Sequence, residues 1–139
     1  MAISNVYVKQ DVSEQEYEFQ RQSYALGYSP EVIEYNAITK IMVVRRIDNM
    51  CVADWYGDSD EQTPDEVWVD IKRIVRGLYK AGLEYVDITG YNFVQDRAGK
   101  VWIIDFGHCR KVGCGSKPDA FVQKFMKDES FKKWNPEFR

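Results

Sequence analysis

The sequence has few of the residues that most often form metal-binding or cross-linked small domains. Its 139 residues include one histidine, His108, and three cysteines, Cys51, Cys109 and Cys114. The cysteine count is odd, none of them has CxxC spacing, and a single histidine is too few for the common Cys/His zinc sites. We therefore expect reduced cysteines and an intracellular, cytoplasmic protein.

Long apolar runs and an excess of basic charge are also missing. No stretch approaches the ~20 consecutive apolar residues that cross a membrane, and no secretory signal pattern opens the chain. The net charge is −3, from 19 basic and 22 acidic residues, which argues against nucleic-acid binding. With 45% hydrophobic residues, the chain can form a packed single domain over residues 1–139.

The first third of the chain predicts a small sheet with one helix. Residues 3–9 alternate and are rich in β-branched side chains, and residues 31–35 and 39–47 are two further strand candidates. Ser13 and Glu16 have capping-box spacing, so a helix should begin there. The face of this helix that we expect to be buried carries Glu16, Phe19, Ser23 and Leu26.

The rest of the chain predicts helices around one hairpin. A second capping box at Thr63, followed by Pro64, should start a long amphipathic helix. Residues 93–95 and 100–104 predict a β-hairpin, and residues 119–127 a short amphipathic helix. Because strands and helices are grouped instead of alternating, the pattern is typical of an α+β fold.

Polar residues flank the predicted hairpin on both sides. Asn92 precedes its first strand, Asp105 follows its second, and Asp87 lies five positions before Asn92. A hairpin places Asn92 and Asp105 side by side, where an unpaired buried carboxylate would be costly. Their oxygen atoms suit Mg²⁺, and one carboxylate remains to accept a proton.

This pattern resembles the protein kinase signature. Asp87, four intervening residues, Asn92 and the later triplet Asp105-Phe106-Gly107 match the catalytic loop and metal-binding motif of that family. The resemblance covers roughly residues 3 to 110. It implies ATP and Mg²⁺ as cofactors, with Mn²⁺ as an alternative. It also implies that Asp87 is the catalytic base, and that Asn92 and Asp105 are the metal ligands.

The resemblance extends to the first strand and helix. Lys9, at the end of the predicted first strand, would be the lysine that contacts the α- and β-phosphates. The following helix would supply a glutamate that pairs with it. Glu16 is the expected partner because it lies on the inward face, and Glu18 stays open as the alternative because Glu16 also fits the capping box.

The same resemblance implies two lobes joined by a hinge. Residues 1–47 would be the remnant of the N-lobe, and residues 48–139 a truncated helical C-lobe. Val44, Arg45 and Ile47 would lie at the hinge, where backbone groups bind adenine, with Val44 as the gatekeeper.

Several features depart from the kinase pattern. We expect no Gly-rich loop over the phosphates, and no Ala-Pro-Glu motif follows Gly107. Tyr85-Val86 replaces the usual His-Arg, and Thr89 replaces the usual lysine. The threonine resembles the small kinase of the KEOPS complex and, more loosely, the RIO kinases. Choline and aminoglycoside kinases share the same Asp–Asn–Asp arrangement. The resemblance therefore implies a reduced protein kinase-like fold.

Three functions stay open at this point. The first is a minimal serine/threonine protein kinase, the second a nucleotide-binding pseudokinase or ATPase module that acts through a partner protein, and the third a small-molecule kinase. His108 is expected to be a local hydrogen-bonding partner, not the base. Apolar faces left by the missing parts should be covered by a partner protein or a second copy. A viral protein in a host cell would also suit so short a kinase.

Overall fold

The computed structural model describes residues 5–114 and 117–138. It begins with a three-stranded antiparallel sheet in which β3 lies between β1 and β2. The strands are β1 (Val6–Lys9), β2 (Val32–Asn36) and β3 (Ile41–Arg45). All three lie within the predicted segments apart from one residue of β2. The predicted first strand begins earlier, at Ile3 and Ser4, which lie outside the described residues.

Helix α1 (Glu14–Ala25) begins where the sequence predicted. The Ser13 hydroxyl accepts a hydrogen bond from the Glu16 N–H at 3.1 Å, which satisfies one of the free donors of the first turn. Gly27 follows the helix with a left-handed backbone, φ 86°. The prediction that Leu26 is buried is wrong: it is 46% exposed, because it caps the helix where the chain turns away.

Two further helices lead into the second half of the chain. They are the short α2 (Val52–Tyr56) and the long α3 (Asp65–Lys80). The predicted capping box at Thr63 is wrong, because Pro64 occupies the cap position. The Thr63 hydroxyl is buried and has no hydrogen-bond partner among the described residues. The predicted apolar stripe of α3 is confirmed, and its buried residues include Val67, Ile71, Ile74, Val75 and Leu78.

The remaining strands form two short antiparallel ladders. Strand β4 (Leu83–Glu84) pairs with β7 (Arg110–Lys111), and β5 (Phe93–Gln95) pairs with β6 (Val101–Ile103). The β5–β6 pair is the predicted hairpin. The Asp96 carboxylate fixes its turn by accepting hydrogen bonds from two backbone N–H groups and from the Trp102 indole.

Helix α4 (Ala120–Lys127) and the residues that follow it complete the larger core. Asp119 caps α4 by accepting the Val122 N–H at 2.9 Å. Trp134 is 2% exposed, and its ring lies 4.2 Å from that of Trp68 on α3. Phe138 also packs against this core.

The packed side chains form two separate clusters. The larger one lies among α3, the β5–β6 hairpin and α4, and Phe19 of α1 reaches into it. The smaller one consists of Val12, Met42 and Val44 beneath the three-stranded sheet. A cleft therefore separates the sheet from the hairpin.

Lys72 holds the end of α4 and the residues that follow it, as far as Phe131, against α3. Its side chain is buried, and its ammonium donates to the carbonyls of Phe125, Asp128 and Phe131 at 2.7, 3.2 and 2.7 Å. Burial lowers the pKa of Lys72 to about 8. This lysine provides three hydrogen bonds between elements that are more than fifty residues apart.

The cysteines are free thiols, and burial raises the pKa of Cys109 to about 12. Among the helices of the described residues, none is both long and apolar enough to cross a membrane. Apolar side chains are exposed on the sheet, including Tyr7 at 57% and Val8 at 53%.

Replacing Lys72 with methionine should lower the free energy of unfolding by about 3 kcal/mol, because three hydrogen bonds to carbonyl oxygens are lost. Urea denaturation of the purified protein measures this. Lys80→Met is the matched control, since Lys80 is exposed on the same helix, and it should change the free energy by less than about 0.5 kcal/mol. Equal midpoints for the two variants would contradict the role of Lys72.

Candidate active site

A cleft of about 330 Å³ lies between the three-stranded sheet and the β5–β6 hairpin. Met42 and Val44 form its apolar wall on the sheet side, and Val94 and Ile104 form the opposite wall. Lys9 and Asp105 lie at its polar mouth. The cleft therefore combines apolar walls with charged side chains along its lining.

The predicted hinge residues border this cleft. Val44, Arg45 and Ile47 all line it, together with Arg46. The N–H of Arg45 donates to the Glu31 carbonyl at 2.8 Å, and that of Arg46 donates to the Asn5 carbonyl at 2.7 Å. Two of the hinge N–H groups are thus already used within the protein.

Lys9 lies between two carboxylates that come from distant parts of the chain. Its ammonium donates to Glu16 on α1 and to Asp105 Oδ1 at 3.2 Å, across 96 residues of sequence. Burial alone would lower the pKa of Lys9, but the Glu16 hydrogen bond and the negative charge of Asp105 outweigh it and raise the pKa. The ammonium form is therefore held at the mouth of the cleft.

The structure selects between the two glutamates that the sequence left open. Glu16 is buried on the inward face of α1, and its carboxylate turns to Lys9 instead of completing the capping box. Glu18 pairs with Arg21 at 2.8 Å on the exposed side of the helix. The Ser13 cap sets the start of α1 so that Glu16 faces β1.

Asp105 has an unusual backbone that its neighbours hold in place. Its φ is 65°, in the left-handed region that non-glycine residues rarely adopt. Its Oδ1 accepts the Gly107 N–H at 3.1 Å. A Cβ on Gly107 would lie 3.3 Å from that Oδ1 and 3.8 Å from Glu16 Oε1. Glycine therefore allows the two carboxylates to approach the turn closely.

Tyr85 supports Asp105 from beneath, a role that the sequence did not reveal. Its buried hydroxyl lies 2.6 Å from the carbonyls of Ile104 and Asp105, to which it donates, and its ring packs edge-on against Phe106. Burial raises the pKa of Tyr85 well above its ordinary value, and the negative charge of Asp105 adds to this shift. The hydroxyl therefore stays protonated and keeps its donor.

Asn92 joins the loop that carries Asp87 to the hairpin. Its carbonyl accepts the Ile104 N–H at 2.9 Å, which continues the β5–β6 ladder and places Asn92 beside Asp105. Its side-chain amide donates to the Asp87 carbonyl at 2.9 Å. This hydrogen bond directs the amide nitrogen toward the loop, so the amide oxygen is the atom that could ligate a cation.

Asp87 is 8% exposed, and its carboxylate contacts a residue whose general role the sequence predicted. Its Oδ2 lies 3.1 Å from His108 Nδ1, so His108 is a local hydrogen-bonding partner. The segment after Asp105 returns toward Asp87 because β7 pairs with β4. The buried Glu84 carboxylate holds that return by accepting hydrogen bonds from the Arg110 guanidinium and the Asp119 N–H.

The donor set fits Mg²⁺ bound together with phosphates. Asn92 and Asp105 offer an amide oxygen and a carboxylate, which are hard ligands. In residues 5–114 and 117–138 there is no group of three or more His, Cys, Asp or Glu side chains that could hold a metal ion. A divalent cation here would therefore need phosphate oxygens to complete its coordination.

Comparison with known proteins finds sequence relatives among kinases. The chain is 30% identical over 74 residues to the 3-deoxy-D-manno-octulosonic acid kinase of Vibrio parahaemolyticus, covering 53% of this chain and 30% of that protein. It is 31% identical over 52 residues to the kinase of the same name from Photobacterium damsela subsp. piscicida, covering 37% of this chain and 22% of that protein. The chain thus spans less than a third of these relatives. No protein-family profile matches it.

A solved structure confirms the fold. The kinase PK-1 of Cydia pomonella granulovirus superposes with a TM-score of 0.63 at 15% identity, covering 82% of this chain and 46% of that one. The chain therefore has the predicted reduced protein kinase-like fold, α+β, with a small antiparallel sheet and one helix ahead of a truncated helical lobe. Its similarity to kinases holds in both sequence and architecture.

Replacing Glu16 with glutamine should lower the pKa of Lys9, because a charged hydrogen-bond partner is lost. Since the folded pKa of Lys9 lies above its ordinary value of 10.5, its contribution to stability is complete below that pH and is lost as pH rises through the folded pKa. NMR titration of the Lys9 side chain measures the shift. Glu18→Gln is the control and should leave the Lys9 titration unchanged; equal curves for both variants would contradict the pairing.

Proposed function

We propose that this chain is the core of an ATP- and Mg²⁺-dependent phosphotransferase, with Asp87 as the base that orients an acceptor hydroxyl. The observation that carries the proposal is the meeting of Lys9, Glu16 and Asp105 at the mouth of an apolar cleft. Asn92 and Asp87 lie on the adjoining loop, joined by a hydrogen bond. Sequence and fold similarity to kinases supports the same conclusion.

The cleft suits an adenine ring. Met42, Val44 and Val94 provide apolar surface on both sides. Because the N–H groups of Arg45 and Arg46 already have acceptors, we assign adenine binding at the hinge to the backbone of Ile47. Fewer backbone groups at the hinge are therefore open to adenine than the kinase pattern alone would imply.

The polar mouth suits the phosphates. Lys9, held by Glu16, contacts the α- and β-phosphates and offsets their charge. Asn92 and Asp105 would hold Mg²⁺, and the bound cation would supply positive charge beside the phosphate oxygens. Asp87 accepts a hydrogen bond from the acceptor hydroxyl and takes its proton as the phosphoryl group is transferred. Positioning and charge stabilisation supply most of the catalysis in such reactions.

Two acceptor classes have support. A serine or threonine of a protein is the acceptor that the catalytic-loop signature favours. A hydroxyl of a small acidic sugar is favoured by the sequence relatives, which are named as 3-deoxy-D-manno-octulosonic acid kinases. The sequence from Gly107 to the start of α4 at Ala120 is short, which also favours a small acceptor over an extended peptide. An ATPase module that acts through a partner would instead transfer the γ-phosphoryl group to water and release phosphate.

Transfer of the γ-phosphoryl group distinguishes these functions. Radiolabelled ATP is incubated with the protein and Mg²⁺, together with generic protein substrates, 3-deoxy-D-manno-octulosonic acid, or neither. We expect labelled product with one acceptor class, and a rate that falls roughly hundredfold or more in Asp87→Asn, because a positioned base is removed. Phosphate release without labelled product would identify an ATPase, and wild-type rates in Asp87→Asn would refute the role of Asp87.

ATP and Mg²⁺ should stabilise the protein only in combination, because the two-residue metal site needs phosphate oxygens. A thermal shift of several degrees is expected with both ligands in large excess over their Kd. Asp105→Asn should abolish the Mg²⁺-dependent part of that shift. Asp96→Asn is not a suitable control because Asp96 holds the hairpin turn, whereas Asp70→Asn changes a helix-surface carboxylate and should respond like the wild type. An equal shift with ATP alone would contradict this metal site.

A further inference from the structure

The C-terminal segment, residues 134–138, is hydrogen-bonded to the chain on both sides of Asp87. Asn135 is 2% exposed, its side-chain amide donates to the Val86 carbonyl, and its N–H donates to the Ile88 carbonyl, both at 2.8 Å. Asn92 holds the Asp87 carbonyl itself at 2.9 Å. Three consecutive carbonyls of the loop thus have fixed partners, so the backbone that carries Asp87 is held along its length.

The same segment reaches the Asp87 side chain through His108. The Phe138 ring lies 5.1 Å from the His108 ring, and His108 Nδ1 lies 3.1 Å from Asp87 Oδ2. The side chain of His108 is 62% exposed, whereas that of Asp87 is 11% exposed. His108 therefore connects a largely buried carboxylate to the solvent-facing side of the site.

We propose that His108, packed against Phe138, is a positioning residue that fixes the orientation of the Asp87 carboxylate for the acceptor. With its proton on Nδ1, His108 donates to Oδ2, which leaves Oδ1 to meet the acceptor hydroxyl. This inference rests on the proposed function. Asn135 and Phe138 serve the same end, since they hold the backbone beneath Asp87 and the imidazole beside it.

The exposure of His108 separates this role from a purely structural one. A hydrogen bond made by so exposed a side chain contributes little to folding, because water replaces it when it is broken. Its effect on the orientation of Asp87 remains, because a carboxylate free to rotate meets the acceptor correctly for less of the time. Loss of His108 should therefore reduce transfer and not stability.

Two substitutions of His108 test the proposal. His108→Asn keeps an N–H near the position of Nδ1, whereas His108→Leu removes the donor and retains an apolar side chain against Phe138. We expect the leucine variant to lower kcat for phosphoryl transfer about tenfold, with KM for ATP and the melting temperature unchanged. The asparagine variant should stay within about twofold of the wild type. Lys111→Met, an exposed change nearby, is the control.

The outcomes distinguish this inference from the proposed function. If Asp87→Asn is inactive while both His108 variants transfer at the wild-type rate, the role of His108 is refuted and the function stands. If the asparagine and leucine variants lose activity equally, the donor is not what matters and the proposal is also refuted. If the wild-type protein transfers to no acceptor, the proposed function fails and this inference fails with it.

The imidazole nitrogens give a second readout that does not need activity. Their NMR shifts should show His108 protonated on Nδ1 in the wild type, because Asp87 favours that tautomer. Asp87→Asn should shift the balance toward the Nε2-protonated form. Identical nitrogen shifts in the two proteins would show that the pair does not form in solution, and would refute the proposal.

Discussion

The ion pair network at Lys9 is the interaction on which the rest of the site depends. One ammonium group joins the edge of the sheet, helix α1 and the segment after the hairpin. Without this ammonium, the carboxylates of Glu16 and Asp105 would repel each other. Removing one partner from a partly buried ion-pair network costs more free energy than the intact network contributes to stability. Because the two apolar clusters are separate, this polar contact also sets how the walls of the cleft face each other.

Local sequence signals predicted most of the fold because they act over a few residues. The turn from Asp96 to Gly99 determines the β5–β6 hairpin, and the apolar spacing of α3 determines its buried face. The errors at Leu26 and Thr63 are both at helix ends. There the exact cap depends on how the chain continues: Leu26 lies where α1 stops, and Pro64 takes the cap position from Thr63.

The site could be predicted only where its residues have a fixed spacing. Asp87, Asn92 and Asp105 follow from a loop and a hairpin of defined length, and the structure places Asn92 beside Asp105. The choice between Glu16 and Glu18 depends on how α1 is rotated against β1. The sequence left this choice open, because Glu16 also fits the capping box. Tyr85 and Asn135 act through tertiary contacts with loop carbonyls, and no local pattern indicates such contacts. For His108 the sequence indicated a hydrogen-bonding role but not Asp87 as its partner.

The long separation between Lys9 and Asp105 has a consequence for synthesis of the chain. The ribosome releases the sheet and α1 before the hairpin, and Asp105 follows Lys9 by 96 residues. Until then the sheet packs on a small cluster, which in the described part of the chain consists of Val12, Met42 and Val44, and Phe19 has no core to enter. A unit with so small a core cannot fold alone. The sheet should therefore stay unfolded during translation until the hairpin has been released and the Asp105 carboxylate can reach Lys9.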